Sequence, residues 1–160
     1  MKIKTAAHRG ARAKVPRRVP GIDYGDLGNH LGYILRRAQL AAFAAFGRAS
    51  AVAGITPPRY TALVILRANP GITQTTLGNV LGTARSGAML LTDWLEERGL
   101  AERRSRKDDG RVWGLYLTDK GARMLARLRR SVLAHDATFG ARLMPRERMT
   151  LTRLLNKLAG

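Results

Sequence analysis

Five cations fall within the nine residues from Arg103 to Arg111: Arg103, Arg104, Arg106, Lys107 and Arg111. Such a run suits neutralisation of phosphate, and guanidinium groups add paired, planar hydrogen bonds to phosphate or to guanine edges. Its duller reading is a solvated, charged loop. Upstream, Thr83, Arg85, Ser86, Gly87 and Met89 lie at the start of a helical stretch. There Ala88, Leu91 and Leu95 recur at helical spacing, so Arg85, Ser86 and Met89 fall on the opposite side, free to meet a ligand, with Leu90 either on that face or at its edge and Met89 equally suited to packing. Catalytic chemistry finds no comparable footing. There is no glycine-rich phosphate loop and no nucleophile elbow around a serine, and His8, His30 and His135 are far apart in sequence. The chain has no cysteine, which removes disulfides, thiolate metal sites, cysteine catalysis and thiol-based redox sensing.

The elements that must position these residues follow from periodicity and punctuation. Asp23 or Asp26 is expected to cap a long amphipathic helix running to about Ala53, with Leu27, Leu31, Ile34, Leu35, Ala38, Ala42, Ala45 and Phe46 on its packed side. Gly54 stops it. Thr56 and the Pro57–Pro58 pair start a second helix, which ends at Asn69–Pro70–Gly71. Thr73 caps a short third helix with Leu77, Val80 and Leu81 inward, Gly82 supplies a turn, and a fourth helix runs from Thr83 to Gly99. Two strands then flank an Asp109–Gly110 turn, with Trp113, Leu115 and Leu117 alternating onto one face, so that Trp113 is expected in the core. Thr118 caps a long helix to about Phe139, carrying Met124, Leu125, Leu128, Val132 and Leu133. Pro145 opens a last helix with Met149, Leu151, Leu154, Leu155 and Leu158. Two short helices, a glycine turn and a hairpin with a basic tip make a winged helix-turn-helix, mainly α with a small β-hairpin wing.

Composition agrees with a polyanion partner. The 160 residues suffice for one domain with a sizeable core, and the formal charge of +18 far exceeds what solubility requires. Of the 29 basic residues 23 are arginine, a choice that suits phosphate and guanine equally. Residues 1–20 carry Lys2, Lys4, Arg9, Arg12, Lys14, Arg17 and Arg18 with no acid, the pattern of a disordered arm that either stays solvated or follows DNA phosphates. Residues 21–160 form the folded domain. Short, interrupted apolar runs predict no bilayer span, and a cytoplasmic, nucleoid-associated protein is the expectation.

A wing and its helix-turn-helix need only residues 57–118, yet the apolar stripes of the helices over 27–53 and 119–160 still require burial. Packing of these end helices against a symmetry mate supplies it, and a two-fold dimer presents two reading helices to successive major grooves of a near-palindromic site. A monomer with its termini folded back is the alternative.

Five segments, in this order, resemble the MarR family of bacterial transcriptional regulators: Gly54-Ile-Thr-Pro-Pro-Arg-Tyr60, Asn69-Pro-Gly-Ile-Thr-Gln-Thr-Thr-Leu77, Leu95-Glu-Glu-Arg-Gly-Leu-Ala-Glu-Arg103, Asp109-Gly-Arg111 and Leu117-Thr-Asp-Lys-Gly121. The resemblance spans roughly Leu27 to Gly160 and implies a homodimer held by its end helices. It also implies a major-groove reading helix bearing Arg85, Ser86, Gly87 and Met89, and a wing tip in the minor groove with Arg111 as the wing arginine and Asp109 its orienting partner. Thr73, Gln74, Thr75 and Thr83, with Arg103, Arg104, Arg106 and Lys107, complete the DNA-facing set. Two positions depart from the family pattern, Gly87 where a hydroxyl residue is frequent and Leu90 where an arginine is frequent, so the operator is not transferable.

The resemblance further implies a small-molecule effector between the dimer helices and the DNA-binding lobe, an aromatic acid or its coenzyme A thioester, with no resident cofactor or metal. Candidate effector residues are His30, Tyr33, Arg36, Arg37 and Phe46 on the first helix and Arg59 and Tyr60 on the second, because a guanidinium can hold a carboxylate or phosphate while an aromatic wall packs a ring. Tyr33 and Phe46 are equally suited to a dimer core. A repressor released by that ligand is the resulting expectation, beside an activator of the same fold or a nonspecific architectural DNA-binding protein.

Overall fold

The computed structural model describes residues 19–50, 54–105 and 113–160, the side chains of 48–50 excepted. A 3-10 turn at Gly25–Asn29 precedes α1 (Leu31–Ser50), followed by α2 (Pro57–Ala68), α3 (Gln74–Val80), α4 (Arg85–Glu97), β1 (Ala101–Ser105), β2 (Trp113–Leu117), α5 (Asp119–Gly140) and α6 (Pro145–Ala159). Most of the basic arm lies outside the described residues, as do the wing-tip positions Arg106, Lys107, Asp109 and Arg111.

The first helix starts later than its apolar spacing predicts. His30 is extended at ψ 114° and separates the 3-10 turn from α1. Gly25 and Gly28 within one five-residue turn weaken the α conformation there. Elsewhere local chemistry sets the boundaries. The Thr73 hydroxyl accepts the Thr76 amide at 3.1 Å and that of Thr118 accepts the Gly121 amide at 3.0 Å, so α3 and α5 each begin with a satisfied cap. Gly82, at φ +60°, turns α3 toward α4, a conformation that a Cβ strains.

Leu63, Leu66, Leu77, Leu95 and Leu115 are fully buried and bring α2, α3, α4 and β2 into one core, with Phe46, Ile55, Leu100 and Leu128 adjoining. The strands pair antiparallel from Ala101↔Leu117 to Ser105↔Trp113. Ile72 bridges the outer edge of β2 at Leu115, which ties the loop before α3 to the wing. Trp113 is not core: at the far end of the ladder it has run past the lobe and is 62% exposed. Val80 and Leu133, expected inward, are also exposed, each lying off the strip of its helix that meets the lobe. In α6 no residue is buried, and Met149, Leu151, Leu154, Leu155 and Leu158 are open.

Gly121 is where α5 passes closest to the wing. A Cβ there overlaps the Leu100 carbonyl oxygen and lies 2.8 Å from Leu117 Cδ1. Backbone on one side and a packed side chain on the other leave nowhere to yield. Gly121→Ala is expected to lower stability by about 1–3 kcal/mol, read as a shift of the urea midpoint at unchanged slope.

Candidate nucleic-acid interface

The α3–α4 unit is closely packed. Gly78 is buried, and a Cβ on it would stand 3.0 Å from that of Ala88, so glycine lets the two helices approach. Ala88, Thr92 and Leu95 form the buried stripe of α4. Arg85 and Ser86 are exposed on the other side, as the spacing predicted, and Met89 and Leu90, which the spacing left open, are exposed there too. Leu90 follows Ser86 by one turn and is 69% exposed. Gly87 is the inner position of this turn: a Cβ there overlaps the Thr83 hydroxyl, so the glycine makes room for that side chain. Thr75 is exposed, and Thr73 and Thr83 are half-buried.

Arg103, expected among the phosphate-facing cations, turns inward. Its Nη2 donates to Gln74 Oε1 at 2.9 Å, Thr92 Oγ1 at 3.1 Å and Asp93 Oδ1 at 2.8 Å, while Nη1 donates to Glu96 Oε2. The Arg103 amide also donates to Glu96 Oε1 at 2.9 Å. One guanidinium therefore joins β1 to both α3 and α4, and Gln74 is engaged in the same network. Thr92, fully buried, donates its own proton to the Ala88 carbonyl at 2.8 Å, leaving its oxygen to accept from Arg103. The neighbouring Arg104 is exposed, pairs with Glu102 and lies 5.5 Å from the Tyr116 ring centroid.

The effector candidates divide into groups. Phe46 is buried and meets Tyr60 at 5.8 Å between ring centroids, with His135 of α5 edge-on at 6.3 Å and Phe139 beyond it. Tyr33 and Arg37, one turn apart on α1, stack at 5.8 Å, and Arg36 is exposed. His30 sits 3.2 Å from Asp26. Arg59 faces elsewhere. Its guanidinium is 3.7 Å from the Trp94 ring centroid, that of Arg98 is 4.0 Å from the same ring, and Arg59 Nη1 donates to the Gly54 carbonyl at 2.9 Å. Burial and the nearby Arg98 charge lower the Arg59 pKa. Sequence reading missed Trp94, Arg98 and His135: Trp94 and His135 meet Arg59 and Phe46 across separate helices, and the Arg98–Trp94 pair lies four residues apart at the end of α4.

An exposed polar helix behind a tight turn, braced against a two-stranded wing, defines a winged-helix DNA-binding regulator. The profile of the MarR family matches residues 53–112. A putative transcriptional regulatory protein for the hcr operon of Thauera aromatica is 36% identical over 152 residues, spanning 94% of this chain and 90% of that protein. The transcriptional repressor CouR bound to a 23-mer DNA duplex superposes with a TM-score of 0.81 at 36% identity, covering 87% of this chain and 99% of CouR. CouR bound to p-coumaroyl-CoA gives 0.80 at 36% identity, over 86% and 97%. The PcaV regulator of Streptomyces coelicolor in complex with its natural ligand gives 0.73 at 30% identity, again over 86% and 97%. The chain belongs to the MarR family, and its relatives along most of its length are regulators, not enzymes.

Removing the Arg103 side chain would leave Asp93 and Glu96 facing each other without a cation. Arg103→Ala is expected to cost about 1–3 kcal/mol in chemical unfolding, and Arg103→Lys to recover only part of it, because one ammonium cannot span four acceptors. Full recovery by lysine would show that charge alone matters at this position.

Proposed function

We propose that the protein is a homodimeric transcriptional repressor that leaves a near-palindromic operator when it binds an aromatic carboxylate or aromatic acyl-CoA. The carrying observation is α4, whose buried stripe fixes it to the lobe while Arg85, Ser86, Met89 and Leu90 stay open. In this reading residues 57–118 form the DNA-binding lobe, and the helices over 27–53 and 119–160 form the dimer. The open apolar face of α6 supports that division, because burying it in a second copy removes Leu151, Leu154, Leu155 and Leu158 from water. The protein works in the cytoplasm on the nucleoid, in keeping with its charge; among the described residues no helix is long and apolar enough to cross a membrane.

Likeness to CouR in both its DNA-bound and p-coumaroyl-CoA-bound structures supports an aromatic acyl-CoA as the releasing ligand. Phe46 and Tyr60, with His135 behind them, offer an aromatic wall, and Arg36 and Arg37 lie earlier on α1 to take an anion. Arg59 is the weaker anion holder, because reaching one requires it to leave Trp94.

Binding to a duplex selected from a random pool by the full chain, followed by fluorescence anisotropy, tests the DNA side. Arg85→Ala is expected to weaken the selected duplex by about 1–3 kcal/mol and to leave scrambled DNA nearly unaffected. Equal losses on both would reduce Arg85 to a phosphate contact, and failure to enrich any sequence would make the protein a nonspecific architectural binder.

Titrating p-coumaroyl-CoA, p-coumarate and coenzyme A into the complex tests the ligand side. A ligand releases DNA only by binding the DNA-incompetent state more tightly; coupling of about 1–3 kcal/mol gives a roughly 5- to 150-fold loss of operator affinity. Arg37→Ala should blunt that response. An unchanged response would remove Arg37 from the site, and no response to any of the three would remove the ligand class.

A further inference from the structure

The exposed face of α4 is chemically divided. Arg85 and Ser86 occupy its first turn, and Met89 and Leu90 the second, 48% and 69% exposed. Ser86 and Leu90 share the line farthest from the Ala88–Thr92–Leu95 stripe, so Leu90 projects from the middle of the reading face. Its polar neighbours cannot replace it in reading bases. Asp93, the next residue along that face, is held by Arg103, and Gly87 contributes no side chain. The lobe core behind α4 is made without Leu90, which leaves its side chain open to a ligand on this face.

Resting on the repressor reading above, we propose that Leu90, flanked by Met89, is a specificity-determining group that reads thymine through its 5-methyl group in the major groove. Of the four bases only thymine presents a methyl there, and apolar contact is the mode by which aliphatic side chains discriminate it. Docked α4 places its N-terminal half against base edges, where Arg85 can take guanine and Leu90, just over a turn farther in, meets the next bases. The apolar pair also excludes water around the Arg85 contact, which strengthens that charged hydrogen bond. A half-site so read carries a guanine and, a few base pairs away, one or two thymines whose methyls lie under Leu90 and Met89. Sequence preference then comes from shape and methyl position as much as from hydrogen bonds.

Deoxyuridine tests this, since it keeps every hydrogen-bonding group of thymine and lacks only the methyl. In the selected duplex each thymine is replaced in turn by deoxyuridine, and affinity is measured for the full chain and for Leu90→Ala and Met89→Ala. Burial of one methyl predicts about a three- to fivefold loss at one or two positions per half-site for the parent protein. Leu90→Ala, a change at an exposed helical position that leaves folding intact, should bind the thymine duplex correspondingly less well and be indifferent to deoxyuridine at the position Leu90 reads. Parent affinity unchanged by every replacement overturns the proposal, as does a deoxyuridine effect of full size in both variants. Absence of any selected sequence would instead overturn the repressor reading itself, so the two failures are distinguishable.

Discussion

The orientation of the reading helix relative to the wing depends on the Arg103 guanidinium, which is held at once by Gln74 of α3 and by Thr92, Asp93 and Glu96 of α4. Hydrophobic contact alone lets two helices and a hairpin slide by fractions of an ångström, because apolar packing has no preferred direction. A planar fork with fixed donor angles does not permit that. With the ladder from Ala101 to Ser105 attached to the same residue, the guanidinium ties helix to wing. Two grooves on one face of a duplex can be engaged together only if that distance is set in advance.

Charge in this chain is therefore divided between scaffold and surface. Arg103 is spent inside the lobe, Arg59 and Arg98 on the two sides of the Trp94 packing, and Arg148 on Asp136 between α5 and α6. Arg85 remains exposed on α4, and Arg104, also exposed, pairs with Glu102 on the wing strand. The net charge of +18 already subtracts the acids these pairs use, so it measures the total field but not which individual cations meet phosphate. Long-range attraction needs only the total, whereas affinity at contact depends on which cations are still unengaged.

Much of the frame was legible in the sequence because it is encoded locally. Caps at Thr73 and Thr118 act across three residues, Gly82 and Gly99 mark left-handed turns, and the Ala88–Leu91–Leu95 stripe repeats at helical spacing. Less legible were features built from distant partners. Arg103 reads as one more cation of a basic run, yet it shares a strand face with buried Ala101, and Asp93 and Glu96, one turn apart on the same helix, put two carboxylates beside each other that call for a cation. Trp113 shows the limit of alternation: the pleat puts it on the same side as Leu115, but nothing in a period of two says where the lobe ends. Apolar spacing passes through His30 and predicts one continuous helix there, whereas the backbone at His30 is extended, between Gly28 and Gly32.

The two tryptophans stand in opposite surroundings. Trp94 is half-buried with a guanidinium on its ring from each of two helices, and Trp113 projects at the end of the hairpin. Their emission consequently separates by solvent relaxation and by access to dissolved quenchers. One indole reports on the helical lobe and the other on the wing, so the protein carries an intrinsic two-channel optical readout in which events at the hairpin and events within the lobe are timed independently, without any attached dye.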